Sequence, residues 1–194
     1  MRFEDFIKDM REDKIKPVYL FYGEEDYLID YSIKSLKEKY VNEGLETLNY
    51  IVLDGDNIEM NHIYDACETL PFMSEKKVVI IKNLGIFGSK TKGQGAEYFN
   101  QKKDELKKYI STLEDYICLV FVEKNTNIDK RKGIIKSINK FGRVIEFTKL
   151  KGRDLNNWIE KVFKKYGKII SYNNINYFIQ HSSYFDRDIN KSLY

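Results

Sequence analysis

Three uninterrupted apolar runs constrain the fold of this chain more than any other feature of its sequence. They occupy residues 18–22, 78–81 and 117–122, and each has the length of one short strand. A strand that faces water on one side alternates apolar and polar residues, whereas a strand covered on both faces is apolar throughout. The three runs therefore predict central strands of a parallel sheet that carries helices on both faces.

The segments between these runs complete a pattern of alternating strands and helices. Residues 48–53 and 144–147 predict two more strands. Apolar side chains at helical spacing predict amphipathic helices in between, including one continuous helix over residues 96–113. We therefore expect a three-layer α/β domain with a five-stranded parallel sheet at residues 1–148.

Local signals place the ends of several predicted elements. Pro71 ends a helix predicted over residues 59–70, because proline cannot donate a helix hydrogen bond and restricts the residue before it. Asp129 is predicted to cap a helix that Gly142 terminates. The glycines, serines and lysines of residues 83–95 predict a mobile or surface loop.

The pattern changes after the fifth predicted strand, where strand signals stop. Residues 155–166 carry an apolar stripe at helical spacing, and Ser171 is placed to cap a second helix. A third helix is predicted to start at Asp186 and to be cut off by the end of the chain. We interpret residues 149–194 as a small all-helical domain with a hinge at its start.

Composition and charge narrow the classes of protein to which this chain can belong. Apolar residues make up 42% and charged residues 32% of the sequence, a balance typical of globular rather than disordered chains. The net charge of +3 permits a basic patch but does not by itself indicate nucleic-acid binding. No apolar run approaches the roughly 18 residues of a membrane helix, and the charged N-terminus lacks the apolar segment of a signal peptide. We therefore expect a cytoplasmic protein without membrane contact.

The first strand-to-helix turn is where a domain of this kind would carry a phosphate-binding loop. Such a loop needs glycines that let the backbone surround the phosphates, with a lysine and a Ser or Thr for phosphate and magnesium. The turn here is Gly23-Glu24-Glu25-Asp26, which has one glycine, no lysine and three carboxylates. Because these charges would repel a triphosphate, we interpret the turn as a degenerate, non-binding loop whose acids complement the helix dipole. A divergent nucleotide-binding ATPase is one alternative.

The sequence suggests no catalytic arrangement, so we predict no catalytic residue, metal ligand or cofactor. Asp54-Gly55-Asp56 has the composition of a turn rather than of a magnesium site. Cys67 and Cys118 lie in apolar segments without a metal-ligand partner, and we expect buried, reduced thiols. The basic run Lys130-Arg131-Lys132 offers possible contacts to a DNA backbone, which makes a direct DNA-binding module the second alternative.

An apolar pair, Phe72 and Met73, lies on the segment between a predicted helix and a predicted central strand. Two explanations fit such a pair. The side chains fold back under the edge of the sheet as part of the core, or they anchor another protein. Local sequence leaves both explanations open, although core packing is the commoner case for large apolar side chains.

Three stretches of the chain together resemble the delta subunit of the bacterial DNA polymerase III clamp loader. They are residues 17–29 (PVYLFYGEEDYLI), 70–79 (LPFMSEKKVV) and 150–159 (LKGRDLNNWI), in the order and at about the spacings of that family. The resemblance implies an AAA+-like fold, in which a RecA-like α/β domain precedes a three-helix lid. It also implies a third, collar-forming domain that this chain does not reach, so we expect the chain to be a fragment.

The same resemblance implies a non-catalytic role in DNA replication. Family members lack a working phosphate loop and do not hydrolyse ATP themselves, although they are part of the DNA-directed DNA polymerase holoenzyme. They bind the sliding clamp (the beta subunit) and open it for loading onto primed DNA, together with the delta prime and gamma/tau subunits. Contact with the DNA itself is expected to be indirect or weak.

Carried over residue by residue, the family pattern assigns the clamp-binding element to Leu70, Pro71, Phe72, Met73 and Ser74. Phe72 and Met73 are the side chains expected to enter a hydrophobic pocket of the clamp, and Leu70 and Pro71 set the direction of the loop. The family usually places an aliphatic residue before the phenylalanine, whereas here the aromatic comes first. Methionine adapts to irregular pockets, so this order is compatible with binding.

Overall fold

The chain divides into two compact units in the computed structural model, Met1–Phe147 and Thr148–Tyr194. The structure describes residues 1–89, 94–124, 127–182 and 184. The third helix predicted from Asp186 lies outside the described residues, as does part of the loop predicted over residues 83–95.

A parallel sheet is the centre of the first unit, and the described residues contribute five strands to it. The strands are β1 (Val18–Gly23), β2 (Tyr50–Asp54), β3 (Lys77–Lys82), β4 (Ile117–Glu123) and β5 (Arg143–Phe147). Their order across the sheet is β2-β3-β4-β1-β5, and all neighbours are parallel. The predicted five-stranded parallel sheet is thereby confirmed, with the three apolar runs as its central strands.

Helices cover both faces of this sheet, which confirms the predicted three-layer α/β architecture. One face carries α1 (Phe3–Arg11) and α2 (Asp26–Tyr40). The other face carries α4 (Met60–Glu68), α5 (Gln94–Gln101), α6 (Lys103–Ile110) and α7 (Gly133–Phe141). A one-turn helix, α3 (Glu46–Asn49), precedes β2.

Side chains of β1 enter the two helical layers in turn. Tyr19 and Phe21 pack on Phe6 of α1, with ring centroids 5.7 and 5.0 Å apart. Leu20 and Tyr22 point the other way and join the core formed with α4 to α7. Because successive side chains of a strand point to opposite faces, burial on both faces requires an apolar residue at every position.

The edge strand β2 starts later than the sequence predicts. Leu48 belongs to α3 rather than to the strand, and its side chain is 51% exposed. Pairing with β3 begins at Tyr50, which lies opposite Val78. Because an edge strand pairs with a neighbour on one side only, the residues that precede the paired segment lack a strand partner.

The predicted mobile or surface loop over residues 83–95 is instead packed in its described part. Three apolar side chains of this segment are buried, namely Leu84, Ile86 and Phe87. The Gly85 N–H donates a hydrogen bond to the Glu123 carboxylate at 2.8 Å, and burial raises the pKa of this carboxyl. The prediction was wrong because it relied on the glycines and serines of this segment and gave less weight to the three apolar side chains, which complete the core.

The helix predicted over residues 96–113 is divided into α5 and α6 at Lys102. The backbone stays hydrogen-bonded through this division, since the Lys102 N–H donates to the Tyr98 carbonyl at 3.1 Å and the Lys102 carbonyl accepts from Leu106 at 2.9 Å. Phe99 and Leu106 are fully buried, so both helices face the core as the apolar spacing predicts.

The start of α7 also differs from the prediction. Lys132 is the N-cap residue, and Asp129 accepts the Arg131 N–H at 3.1 Å in a tight turn before the helix. Aspartate favours such turns as well as helix caps, which is why its presence alone did not locate the cap. Gly142 ends α7 as predicted.

The second unit contains two helices in its described residues, α8 (Gly152–Lys165) and α9 (Tyr172–His181). Their buried side chains are Leu155, Trp158, Ile159 and Ile175. The Ser171 hydroxyl accepts a hydrogen bond from the Asn174 N–H at 3.3 Å, which confirms the predicted cap. Tyr166 lies beyond the end of α8 and is exposed, so the predicted stripe ends early. In the described ranges of both units, no helix combines the length and apolar character needed to cross a membrane.

Both cysteine thiols are expected to be unreactive in the folded protein. Cys67 and Cys118 are buried, and burial raises the pKa of each thiol to about 12. Since the thiolate is the reactive form, iodoacetamide at about pH 8 should label neither residue unless denaturant is added. Mass spectrometry of the folded and unfolded chain measures this, and stoichiometric labelling of the folded chain would contradict the assigned burial.

Candidate protein-binding loop

A loop over residues 69–76 joins the end of α4 to the start of β3. Helix α4 stops at Glu68, earlier than predicted, and Thr69 already has extended backbone angles. The ammonium group of Lys77, which is buried, donates a hydrogen bond to the Thr69 hydroxyl across the base of the loop. Burial lowers the pKa of this ammonium group. The two ends of the loop are therefore tied together inside the domain.

The apolar side chains of this loop face solvent. Leu70 is 71% exposed, Phe72 is 53% exposed and Met73 is 72% exposed. The side chains therefore do not plug the edge of the sheet, which excludes the core-packing explanation of the apolar pair. Clustered large apolar side chains at a protein surface are typical of a contact with another protein.

The backbone of the loop is held by a buried asparagine at the end of α3. The Asn49 carboxamide oxygen accepts the Phe72 N–H at 2.7 Å, and its nitrogen donates to the Phe72 carbonyl at 2.8 Å. The same nitrogen lies 3.0 Å from the Ser74 hydroxyl. Phe72 is thus fixed through its main chain while its ring stays at the surface.

A second asparagine holds the next part of the loop. The Asn42 side chain donates to the Met73 carbonyl, and the Asn42 N–H donates to the Ser74 hydroxyl at 3.1 Å. Met73 has φ of +49°, a left-handed conformation that is unfavourable for a residue with a side chain. Sequence reasoning found the exposed residues of the loop but missed Asn42 and Asn49, since no local pattern indicates a partner this distant in sequence.

The acidic turn at Gly23 is closed onto the neighbouring strand. The Glu24 and Glu25 N–H groups both point at the Phe147 carbonyl of β5, at 3.0 and 3.3 Å. In a phosphate-binding loop, such amide groups point at the ligand. Asp26 at the start of α2 pairs with Lys124 at 3.1 Å. The prediction of a degenerate, non-binding loop is consistent with this geometry.

Each cation of the predicted DNA-contact run already has a partner within the domain. Lys130 lies 3.4 Å from Glu146, and Arg131 pairs with Asp129 at 2.9 Å. The Lys132 ammonium group donates to the Ile86 carbonyl at 2.7 Å. Contacts of this run with DNA stay a prediction, and they would have to compete with these internal interactions.

The Asp54-Gly55-Asp56 segment is a short helical turn. The Asp54 carboxylate accepts a hydrogen bond from the Asp56 N–H at 3.4 Å, which is the local bonding that aspartate provides in turns. In the part of the chain that the structure describes, no cluster of three or more acidic, histidine or cysteine side chains is arranged to hold a metal ion.

The sheet order defines a three-layer α/β module, and an exposed apolar loop joins α4 to β3 on it. Comparison with known proteins agrees with this class. The chain belongs to the DNA polymerase III delta subunit family, because the family described as "DNA polymerase III, delta subunit" matches residues 19–148. The resemblance noted in the sequence is thereby confirmed.

Curated relatives carry the same description. DNA polymerase III subunit delta from Bacillus subtilis is 25% identical over 166 residues, which is 86% of this chain and 47% of the relative. Probable DNA polymerase III subunit delta from Aquifex aeolicus is 30% identical over 173 residues, which is 86% of this chain and 45% of the relative. The chain thus spans about half the length of the curated relatives that it matches.

Solved structures support the fold. The Bacillus subtilis DNA clamp loader delta protein superposes with a TM-score of 0.70 at 22% identity, covering 91% of this chain and 51% of that chain. A DNA polymerase III gamma subunit-related protein from Thermotoga maritima superposes with a TM-score of 0.50 at 15% identity, covering 85% of this chain and 52% of that one.

Proposed function

We propose that this chain is the clamp-binding part of a clamp-loader delta subunit, which binds the sliding clamp and opens it for loading onto primed DNA. The observation that carries the proposal is the loop over residues 69–76. Phe72 and Met73 are exposed there, although their backbone is held by hydrogen bonds from the domain. Exposed apolar side chains on an ordered backbone suit insertion into a preformed pocket.

Ring opening in this proposal uses binding energy rather than catalysis. Two apolar anchors that become fully buried contribute about 2 kcal/mol each. If the delta subunit binds the open ring more tightly than the closed ring, the difference in affinity shifts the ring toward opening. The mechanism requires no nucleotide at the Gly23 turn, where two backbone amides are bonded to Phe147.

The unusual order of the anchor residues fits the exposed geometry of the loop. Leu70 is exposed together with Phe72 and Met73, so the loop offers a large apolar side chain both before and after the aromatic residue in the sequence. Methionine is unbranched and fills irregular pockets well. We therefore assign Phe72 and Met73 as the central contacts, with Leu70 at the rim and Pro71 and Ser74 shaping the backbone.

Further parts of the proposal follow from membership of the family. The first unit is the AAA+-like domain, and the second is the helical lid domain. The delta prime and gamma/tau subunits are the partners of the chain in the loader. The chain contacts DNA weakly or indirectly, and it is located in the cytoplasm. The chain is a subunit of a polymerase holoenzyme without a catalytic site of its own.

The proposal is tested by direct binding to the cognate sliding clamp. We expect the isolated chain to bind the ring with a Kd at or below about 10 μM, measured by biolayer interferometry with immobilised clamp. A pre-formed complex should also migrate ahead of the free ring on size exclusion. Absence of binding with a chain that shows a cooperative unfolding transition would contradict the proposal.

A further inference from the structure

The loop over residues 69–76 combines features that do not normally persist together. Its large apolar side chains are exposed, and Met73 is in a left-handed conformation that costs free energy. A free segment of this composition would relax the strained residue and fold its apolar side chains onto the domain. Something in the surrounding structure must therefore hold the loop in place.

Asn49 makes the contacts that can hold the loop in place. It is fully buried, and its carboxamide bonds both the N–H and the carbonyl of Phe72, as a neighbouring strand would. The nitrogen of the carboxamide also reaches the Ser74 hydroxyl at 3.0 Å and the Leu45 carbonyl at 3.3 Å. One side chain thereby connects α3 to both ends of the Phe72–Met73 pair.

The chemistry requires a primary amide of this length. Phe72 presents one donor and one acceptor, and a carboxamide offers the complementary acceptor and donor. Aspartate keeps the acceptor but loses the donor, and alanine loses both. Glutamine is longer by one methylene, which does not fit a fully buried site without displacing its neighbours.

We propose that Asn49 is a positioning residue, which holds the loop in its binding conformation before the partner arrives. The proposal rests on the clamp-binding function proposed above. Asn42 has a supporting part, because it bonds the Met73 carbonyl from an exposed position where water can replace it. With Asn49 in place, binding proceeds without the cost of ordering the loop. Without it, only a fraction of the molecules have a correctly folded loop, and the apparent affinity falls in proportion to that fraction.

The test compares Asn49→Ala and Asn49→Asp with the unmodified chain. We expect hydrogen exchange of the Phe72 amide to accelerate at least about tenfold in Asn49→Ala, because this amide loses its acceptor and the loop opens locally. Affinity for the clamp should fall by about tenfold or more. The variant has to order its loop on binding, which costs as much conformational entropy as immobilising several side chains. Asn49→Asp should also weaken binding, because it keeps the acceptor for the Phe72 N–H but places a carboxylate oxygen against the Phe72 carbonyl. Asn42→Ala should have a smaller effect than Asn49→Ala.

A core truncation far from the loop in sequence, Ile138→Val, is the matched control for general stability. It should lower the Tm without changing exchange at residues 72–76 or clamp affinity, since Ile138 lies in α7. The inference is overturned if Asn49→Ala keeps both the exchange protection and the affinity of the unmodified chain. In that case loss of binding by Phe72→Ala would still support the clamp-binding function. If Phe72→Ala and the unmodified chain bind the clamp equally, the assignment of Phe72 as an anchor fails, and if neither binds, the proposed function fails; exchange at the Phe72 amide decides the role of Asn49 in both cases.

Discussion

Replacing both Phe72 and Met73 by alanine is expected to lower affinity for the sliding clamp by about a thousandfold, because two desolvated anchors contribute about 2 kcal/mol each. The free energy of unfolding should change little, since both side chains are more than half exposed in the free chain. Isothermal titration calorimetry with the clamp and urea unfolding of each variant measure the two quantities separately.

The control for this prediction is another exposed apolar pair in the same chain. Tyr166 and Ile169 are 74% and 100% exposed and lie in the second unit. Their double replacement by alanine should leave clamp affinity within about threefold, since exposed apolar side chains outside an interface contribute little to binding. Equal losses in the two double variants would show that general surface apolarity drives association. Unchanged affinity in the Phe72/Met73 variant would remove the assignment of the anchor.

Gly23→Ala is expected to destabilise the first unit by about 3 kcal/mol or more, because backbone strain and a steric clash act together. Gly23 has φ of +145°, a conformation that side chains rarely adopt, and a Cβ there would lie 2.0 Å from the Phe147 carbonyl oxygen. That oxygen also accepts the Glu24 and Glu25 amides, so relief of the clash would break the turn. Urea unfolding followed by circular dichroism measures the loss.

A second left-handed glycine separates the two causes. Gly44 has φ of +80°, but a Cβ at this position would meet nothing within 4 Å. Gly44→Ala should therefore cost only the conformational strain, about 1–2 kcal/mol. If both variants lose the same stability, the close approach of β1 and β5 is not what requires Gly23. A larger loss of stability in Gly23→Ala than in Gly44→Ala would assign the single glycine of the acidic turn to packing between strands rather than to phosphate binding.

The central part of the fold could be predicted because its signal is local. A strand buried on both faces has to be apolar at each position, so Val18, Ile80 and Val120 lie in recognisable runs. The amphipathic helices follow from the same rule at helical spacing. These patterns depend on which surfaces are buried and not on the identity of the neighbour, so a single sequence contains them.

Errors arose where a distant contact overrides the local pattern. Leu48 has the apolar character of a strand residue, yet pairing with β3 begins at Tyr50 and leaves it outside the sheet. Phe87 lies among glycines and serines that favour a surface loop, yet it is fully buried. In both cases the deciding interaction comes from residues far along the chain, which local propensity does not report.

The sequence by itself determined the α/β class, the presence of a single glycine and no lysine in the first turn, and the position of an apolar pair after Pro71. These features depend on residue type and spacing along the chain. Only the tertiary structure decided that Phe72 and Met73 face solvent, and that Asn49 bonds the Phe72 backbone from another element. The physical reason is that exposure and hydrogen bonding of a loop depend on which distant groups reach it, and that is settled only when the sheet and its flanking helices have packed.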